Sequence, residues 1–246
     1  MVATPRSSGA AGKAGATPRQ VGEAPRGLGL RPQLSDEVAA RIRELIMSGQ
    51  VRQGEFLRLE RLAAQFGISV TPVREALQSL RSEGFVVLEP RRGFVVADLS
   101  QQDVKDLFWV QAVIAAELTS RAAVRLPARA LRRLEEIQRA MERAVAEGHI
   151  DLAEELNHSF HRTINLAAGS AKLAWTLGVV SRYVPRGLYG RIPDWPESCV
   201  REHQRILDAL RRGNRHAASG GMRMHITIAG ELLSKHLERQ GLWEEP

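Results

Sequence analysis

Four polar side chains fall on helical stripes that would otherwise face a hydrophobic core. Asn157 and His161 lie four residues apart and therefore share one face of a helix. His203 and His225 occupy the apolar stripes of two later helices. Imidazoles that project from separate helices into one bundle are how helical bundles build metal sites. Imidazole and oxygen ligands suit Zn, Ni, Fe or Mn, so the pattern predicts a divalent transition metal without choosing among these ions.

The same residues are compatible with two alternative roles. The three histidines could be unrelated, each satisfied by a local hydrogen bond. They could also hold a metal that activates water, as in a metal-dependent hydrolase. A hydrolase needs a general base near that water, and no acid stands out on the inward faces, because Glu202 directly precedes His203 and points elsewhere. The sequence therefore favours a binding role over an enzyme.

The segments that carry these residues are all predicted to be helical. Ser100 and Asp103 resemble a capping box at the start of a long helix, with Asp in place of the usual Glu or Gln. Apolar residues recur at helical spacing in five further segments, at about 128–147, 151–168, 170–184, 197–212 and 214–239. No strand pattern occurs after Ser100, so residues 101–240 are predicted to form a helical bundle.

The preceding segment, residues 32–98, shows a different pattern. Three apolar stripes predict helices that end near Gly49, Gly67 and Gly84, and Thr71-Pro72 marks the start of the third. Two strand-like runs at 85–88 and 94–96 follow, joined by a turn. Three helices and a hairpin are the layout of a winged helix-turn-helix. The predicted fold is mainly α: a winged helix-turn-helix followed by an all-α helical bundle that forms a sensor domain.

Six residues of this segment are candidates for contact with DNA. The second helix of a helix-turn-helix places its N-terminal residues against base edges in the major groove. Arg is the usual reader of guanine, and hydroxyl groups reach bases or phosphates. The segment carries nine Arg against nine acidic residues, so its positive charge must be concentrated on one face. The candidates at the start of the third helix and at the tip of the hairpin are Ser69, Thr71, Arg74, Arg91, Arg92 and Gly93.

The composition of the chain limits the classes of protein to which it can belong. The 246 residues carry a formal net charge of +7, which fits a polyanionic partner. Residues 1–31 are rich in Gly, Ala and Pro and are predicted to be a disordered tail. Cys199 is the single cysteine and cannot form an internal disulfide. No apolar run approaches the ~20 residues of a membrane span. We therefore expect a cytoplasmic protein that does not enter the membrane.

These motifs resemble a family of bacterial regulators. The run VTPVREALQSLRSEG (70–84) resembles the winged helix-turn-helix of GntR-type transcriptional regulators. The segments NHSFHRTI (157–164), REHQRILDAL (201–210) and MRMHITI (222–228) resemble the metal-ligand segments of the helical FCD sensing domain in the FadR-type branch. The resemblance covers about residues 33–240. It implies a homodimer on a palindromic operator, with a DNA affinity that changes when a small ligand binds.

The resemblance also assigns roles to individual residues. Ser69, Thr71 and Arg74 match positions that contact DNA in the family. The positions that match its metal ligands are Asn157, His161, His203 and His225. Together the motifs predict a ligand-responsive repressor of metabolic genes, relieved by a small effector that bears a carboxylate.

Two departures from the family pattern concern the metal and the effector. Many relatives have Asp where Asn157 stands, and neutral Asn is a weaker ligand for a divalent cation. Many relatives also carry an acid-binding Arg at the position of Gln111, which can donate hydrogen bonds but brings no charge. The effector pocket is predicted at Gln111 and Arg182. Either the effector is not the simplest hydroxy acid or dicarboxylate, or Arg182 or Arg186 replaces the missing anchor.

Overall fold

The computed structural model describes residues 34–184 and 187–243. The predicted disordered tail and Arg186 lie outside the described residues. Within them, the mainly helical fold class is confirmed, with a small sheet near the N-terminal end and helices throughout the remainder. No helix among the described residues is long and apolar enough to cross a bilayer.

The N-terminal part is a winged helix-turn-helix. Its helices are α1 (Leu34–Met47), α2 (Leu59–Phe66) and α3 (Val70–Ser82). Its strands are β1 (Phe56–Leu57), β2 (Val86–Glu89) and β3 (Gly93–Val96), in an antiparallel sheet of order β1-β3-β2. The strand β1 was not predicted, because two residues are too short to show a period in the sequence.

Periodic burial explains why these helices form where they do. The stripe predicted on α1 is buried, and Val73, Leu77 and Leu80 of α3 are fully buried against it. Gly67 ends α2 in the left-handed conformation at φ 67°, where a side chain would be strained. Helix α3 begins at Val70 with Ser69 as its N-cap residue, two residues earlier than the predicted cap at Thr71 and start at Pro72.

Six further helices build the C-terminal bundle. They are α4 (Gln101–Ala122), α5 (Ala128–Ala146), α6 (Ile150–Ala167), α7 (Ala171–Val180), α8 (Trp195–Arg211) and α9 (Arg215–Arg239). The predicted capping box at the start of α4 is confirmed, since Ser100 and Asp103 bond each other's backbone N–H groups. The helix predicted at 170–184 is shorter than expected: α7 ends at Val180 and a 3₁₀ turn, Ser181–Tyr183, follows.

Two hydrophobic clusters hold these elements together. The first runs from the DNA-binding head into the bundle, and it includes Ile42 and Leu77 of the head with Phe108 and Leu233 of the bundle. The second lies at the other end of the bundle, around Phe160 of α6. The helices α4 and α9 are in close contact at Gly230, where a Cβ atom would lie 2.5 Å from Cγ of Phe108. The bundle thus brings α6, α8 and α9, the carriers of the candidate ligands, around one interior point.

Candidate metal and effector site and DNA-binding surface

Three histidines from three helices converge inside the bundle. His161 of α6 places its Nε2 atom 3.1 Å from Nε2 of His225 on α9. The same atom lies 3.3 Å from Nε2 of His203 on α8. The ligand atoms of all three residues lie within 4.8 Å of one another. We call His161, His203 and His225 the histidine cluster.

Packing fixes the orientation of these rings. Phe160 is fully buried and stacks on the ring of His203, with centroids 4.0 Å apart and planes 14° from parallel. His203 and His225 are themselves buried. The buried Nδ1 atom of His203 has no hydrogen-bond partner among the described residues. Its orientation therefore comes from the aromatic stack and from the helix that carries it.

The protonation state of the histidine cluster suits a bound metal ion. Burial, helped by the charge of His158, lowers the pKa of His161 to about 4. Burial also lowers the pKa values of His203 and His225 well below the usual histidine range. All three imidazoles are therefore neutral at pH 7, which is the form that binds a metal. The spacing of the Nε2 atoms and their protonation state both fit a transition-metal ion.

Two more polar side chains border the histidine cluster. The Asn157 Oδ1 atom accepts a hydrogen bond from Cys199 Sγ at 3.3 Å. The same sulfur lies 3.7 Å from His203 Nε2. Asn157 was predicted from the sequence, but Cys199 was not. The available signal was its position one helical turn before His203, which places both residues on one face of α8.

A cavity of about 530 Å³ opens beside the histidine cluster. His161, His225 and Asn157 line it, together with Gln111. Gln111 is buried, and its Nε2 donates to the Val180 carbonyl at 3.4 Å. Its Oε1 accepts from the Ser181 hydroxyl at 3.3 Å. The structure thus brings three of the four predicted metal ligands and Gln111 to one cavity, while His203 is outside its lining.

The charged groups of the cavity differ from those predicted. Arg162 lines the cavity, whereas Arg182 lies outside this lining and bonds Glu83 at 3.1 Å. Sequence reasoning missed Arg162 because it lies one residue after His161, on a side of the helix that the periodicity assigns to solvent. The other charged lining residues are the acids Asp151, Glu154 and Glu155. The backbone N–H groups of Gly187 and Gly190 donate hydrogen bonds to the Glu154 carboxylate.

The candidate DNA-binding residues lie at the surface of the head. Ser69, Thr71 and Arg74 are exposed at the start of α3. Arg91 and Arg92 are exposed at the tip of the hairpin. A groove of about 540 Å³ separates α3 from the hairpin, and Arg74, Arg92 and Gly93 all line it. The structure adds Arg58 to this groove. Arg58 occupies the N-cap position of α2, and its side chain is exposed.

The hairpin tip is strained where it carries Arg91. The Arg92 N–H donates to the Glu89 carbonyl at 3.2 Å, which closes a turn with Pro90 second and Arg91 third. Arg91 has a φ of 65°, in a position where turns of this type favour Gly or Asn. A strained residue at an exposed tip is typical of a functional position. The guanidinium of the next residue, Arg92, lies over the Phe56 ring, 4.4 Å from the ring centroid.

Glu83, at the end of α3, connects the head to the wall of the cavity. Its carboxylate accepts hydrogen bonds from Arg43 of α1 at 2.9 Å and from Arg182 at 3.1 Å. Its carbonyl accepts a hydrogen bond from the Tyr183 hydroxyl. The Tyr183 ring also stacks on Phe85, with centroids 4.5 Å apart. Ser181 and Val184, on either side of these two residues, line the cavity. We call residues 180–184 the connecting segment.

The fold and the site together define a DNA-binding head joined to a helical domain with a candidate metal centre and a ligand cavity. Residues 34–96 match the family described as bacterial regulatory proteins, gntR family, and residues 106–227 match the FCD domain. The chain belongs to the GntR family, in its FadR-like branch. It is therefore a DNA-binding transcriptional regulator and not an enzyme, which removes the hydrolase alternative.

Relatives in this family align over most of their length. The chain is 26% identical over 209 residues to the HTH-type transcriptional regulator YdhC of Bacillus subtilis, covering 81% of this chain and 90% of that protein. It is 25% identical over 205 residues to the HTH-type transcriptional repressor RspR of Escherichia coli, covering 82% and 90%. It is similar in fold to the solved structure of E. coli McbR/YncC, with a TM-score of 0.62, 20% identity and coverage of 85% and 98%.

Proposed function

We propose that this regulator is a repressor of metabolic genes that binds a palindromic operator as a homodimer and responds to a metal-anchored organic acid. The observation that supports the proposal most directly is the histidine cluster, which opens onto a cavity large enough for a small effector. FCD domains commonly bind metals. The similar regulator RspR is named a repressor. Since operator DNA lies in the bacterial cytoplasm, the protein is expected to act there.

The metal would be held by His161, His203 and His225, with Asn157 as the candidate oxygen ligand. A divalent ion supplies the positive charge that attracts a carboxylate into the cavity. Gln111 offers an amide in place of a cationic anchor, although it is already engaged with the connecting segment. Arg162 provides a positive charge at the exposed part of the lining. These groups favour an organic acid as the effector.

The connecting segment offers a route from the cavity to the DNA-binding head. An effector that displaces Ser181 or its partner Gln111 moves the residues that hold Glu83 at the end of α3. Helix α3 carries Arg74 at its other end, so a small rotation there changes the fit to the major groove. A coupling of about 1–3 kcal/mol between effector and DNA is typical of such regulators.

The proposed homodimer has an apolar surface available on the bundle. Trp109 of α4 and Trp175 of α7 are 66% and 67% exposed, although large aromatic side chains are usually covered. A palindromic operator requires two copies of the head related by a two-fold axis, and contacts through α4, the first helix of the sensor domain, would join the two copies.

A gel-shift assay with the DNA upstream of its own gene tests the operator-binding part of the proposal. We expect a specific complex that Arg74→Ala weakens by about 1–3 kcal/mol, or roughly 5- to 150-fold in Kd. The matched control Arg139→Ala removes an exposed arginine from α5 and should leave the Kd unchanged. Equal Kd values for both variants and the unchanged protein would show that the α3 surface does not read DNA.

Thermal shift with a panel of organic acids tests the effector part. Acids that bind should raise the melting temperature of the metal-loaded protein, and Arg162→Ala should reduce that shift more than Arg182→Ala, because only Arg162 lines the cavity. A large shift with lactate or a dicarboxylate that is lost in Gln111→Leu and kept in Arg162→Ala and Arg182→Ala would contradict the assignment, since it would make Gln111 sufficient as the anchor.

A further inference from the structure

Cys199 lies next to the candidate metal site, although it is not one of the metal ligands expected from the sequence. It lies on α8, is 2% exposed, and is the single cysteine of the chain. Its sulfur is 3.7 Å from His203 Nε2 and 3.3 Å from Asn157 Oδ1. No described side chain separates the sulfur from either of these two atoms. The thiol therefore borders the same interior point as the imidazoles.

Three contacts between these donor atoms are close to the values of a site with one sulfur and three nitrogens in tetrahedral directions. With zinc–nitrogen bonds of about 2.0–2.1 Å and a zinc–sulfur bond of about 2.3 Å, tetrahedral geometry places nitrogens about 3.3 Å apart and sulfur about 3.6 Å from nitrogen. The two observed contacts between Nε2 atoms are 3.1 and 3.3 Å, and the contact between sulfur and nitrogen is 3.7 Å. The sulfur does not lie within 4.8 Å of all three imidazole ligand atoms, so ligation requires the Cys199 side chain to turn from its present position toward the cluster.

Charge balance favours the same arrangement. Three neutral imidazoles and the neutral Asn157 amide leave a buried divalent ion with both of its positive charges uncompensated. Burying an uncompensated charge is costly, and an ionised sulfur offsets half of it. Many relatives are expected to meet this need with Asp at the position of Asn157, which this chain lacks.

We propose that Cys199 is a metal ligand in this protein, through a thiolate that joins His161, His203 and His225 in an S–N₃ ligand set and leaves a fifth position for the effector carboxylate. This inference rests on the metal site of the proposed function. On binding, the S–H bond breaks, a sulfur–metal bond forms, and the proton leaves to solvent, so that one charge on the ion is neutralised. Asn157 then hydrogen-bonds near the sulfur instead of ligating the metal. A thiolate selects Zn²⁺ or Co²⁺ over Mn²⁺, which prefers oxygen ligands.

Cobalt(II) added to the metal-free full-length protein tests this inference by spectroscopy. A thiolate bound to Co²⁺ gives a near-ultraviolet charge-transfer band that imidazole and amide ligands do not give. Since the chain has a single cysteine, the band can come only from Cys199. We expect the band in the unchanged protein and in Asn157→Ala. We expect Cys199→Ser to lose the band and to bind zinc at least about tenfold more weakly in competition with a chromophoric chelator.

The outcomes separate the two proposals. Stoichiometric cobalt without the band in the unchanged protein would overturn ligation by Cys199 and leave the metal site standing. No cobalt or zinc binding at all would overturn both this inference and the metal-dependent function. Because the decisive spectrum is that of the unchanged protein, a folding defect in Cys199→Ser does not affect the conclusion. Asn157→Ala, which alters the neighbouring side chain and leaves the sulfur in place, is the matched control.

Discussion

Adding one methyl group at Gly230 should destabilise the protein, because helix α9 packs there directly against α4. A Cβ atom at Gly230 would lie 2.5 Å from Phe108 Cγ and 2.8 Å from Phe108 Cβ. Real Cβ atoms do not approach other atoms this closely, so one of the two must move. The Phe108 Cβ atom moves only with its own backbone, and its ring is buried in the core. Relief of the clash therefore requires α4 and α9 to separate locally.

The size of the effect follows from two opposing contributions. Overpacking a buried site costs about 1–3 kcal/mol. Replacing Gly with Ala inside a helix returns about 1 kcal/mol of helix propensity. Since the clash involves an atom next to the backbone, we place the packing cost in the upper half of its range, which leaves Gly230→Ala less stable by about 1–2 kcal/mol. For a chain of this size, that corresponds to a fall in melting temperature of about 2–8 °C.

The same helix supplies the matched control. Gly220 also lies in α9, and a Cβ atom there would meet nothing within 4 Å. Gly220→Ala should therefore raise the free energy of unfolding by about 0.4–1 kcal/mol. Thermal and urea denaturation of both variants, followed by circular dichroism, measures the difference. If Gly230→Ala were as stable as Gly220→Ala, the close approach of α4 and α9 would be refuted.

Three further predictions concern the connecting segment, the hairpin tip and the cap of α4. Tyr183→Phe removes the hydroxyl that donates to Glu83, so fluorescence anisotropy of the metal-loaded protein should show unchanged affinity for operator DNA but a smaller effect of an organic acid that binds; an unchanged effect of the acid would exclude this route. Arg91→Gly relieves the positive φ of 65° and removes a candidate phosphate contact, so denaturation should show a more stable head, while the salt dependence of DNA binding should fall in slope by about 1; an unchanged slope would exclude the phosphate contact. Hydrogen bonds from Ser100 lower the pKa of Asp103, so the stability that they confer is present above about pH 4 and is lost as the pH falls through the lowered value. Ser100→Ala should therefore lose stability at pH 7, and the difference should shrink in acid; a difference independent of pH would contradict the role of the cap.

The sequence predicted those features that depend on which face of an element is buried. Helical periodicity placed His161, His203 and His225 on inward faces, and the structure brings their Nε2 atoms together. Local chemistry likewise predicted the capping box of Ser100 and Asp103, because a cap involves residues only three positions apart.

The features that the sequence did not predict depend on contacts between distant segments. A buried cysteine has the pattern of an ordinary core residue, so nothing in the sequence shows that Cys199 meets Asn157 of another helix. Arg182 was expected at the effector as a substitute for the cationic anchor that is missing at Gln111. It instead pairs with Glu83, which lies 99 positions earlier in the chain. Periodicity states which face of a helix points inward but not which residues lie opposite that face.

The end of α7, at the wall of the cavity, is another feature that the sequence did not predict. The turn at Ser181–Tyr183 was predicted to continue α7, since its residues fit a helix. The hydrogen bonds of Gln111 to Val180 and Ser181 hold the chain at the point where the helix ends. Tertiary contacts there override local propensity, and the resulting turn connects the cavity to the head.

Metal content and operator binding, measured in one preparation, test the central claim most directly. Elemental analysis of the purified protein is followed by anisotropy titration of operator DNA before chelation, after chelation and after zinc is restored. Each titration is run with and without an organic acid that raises the melting temperature of the metal-loaded protein. We predict about one metal ion per chain and a change in DNA affinity of roughly 5- to 150-fold on addition of the acid, which is lost after chelation, returns with zinc, and is absent in His161→Ala and His225→Ala. An acid that changes DNA affinity equally in the metal-free and the metal-loaded protein would contradict a regulator controlled through the histidine cluster.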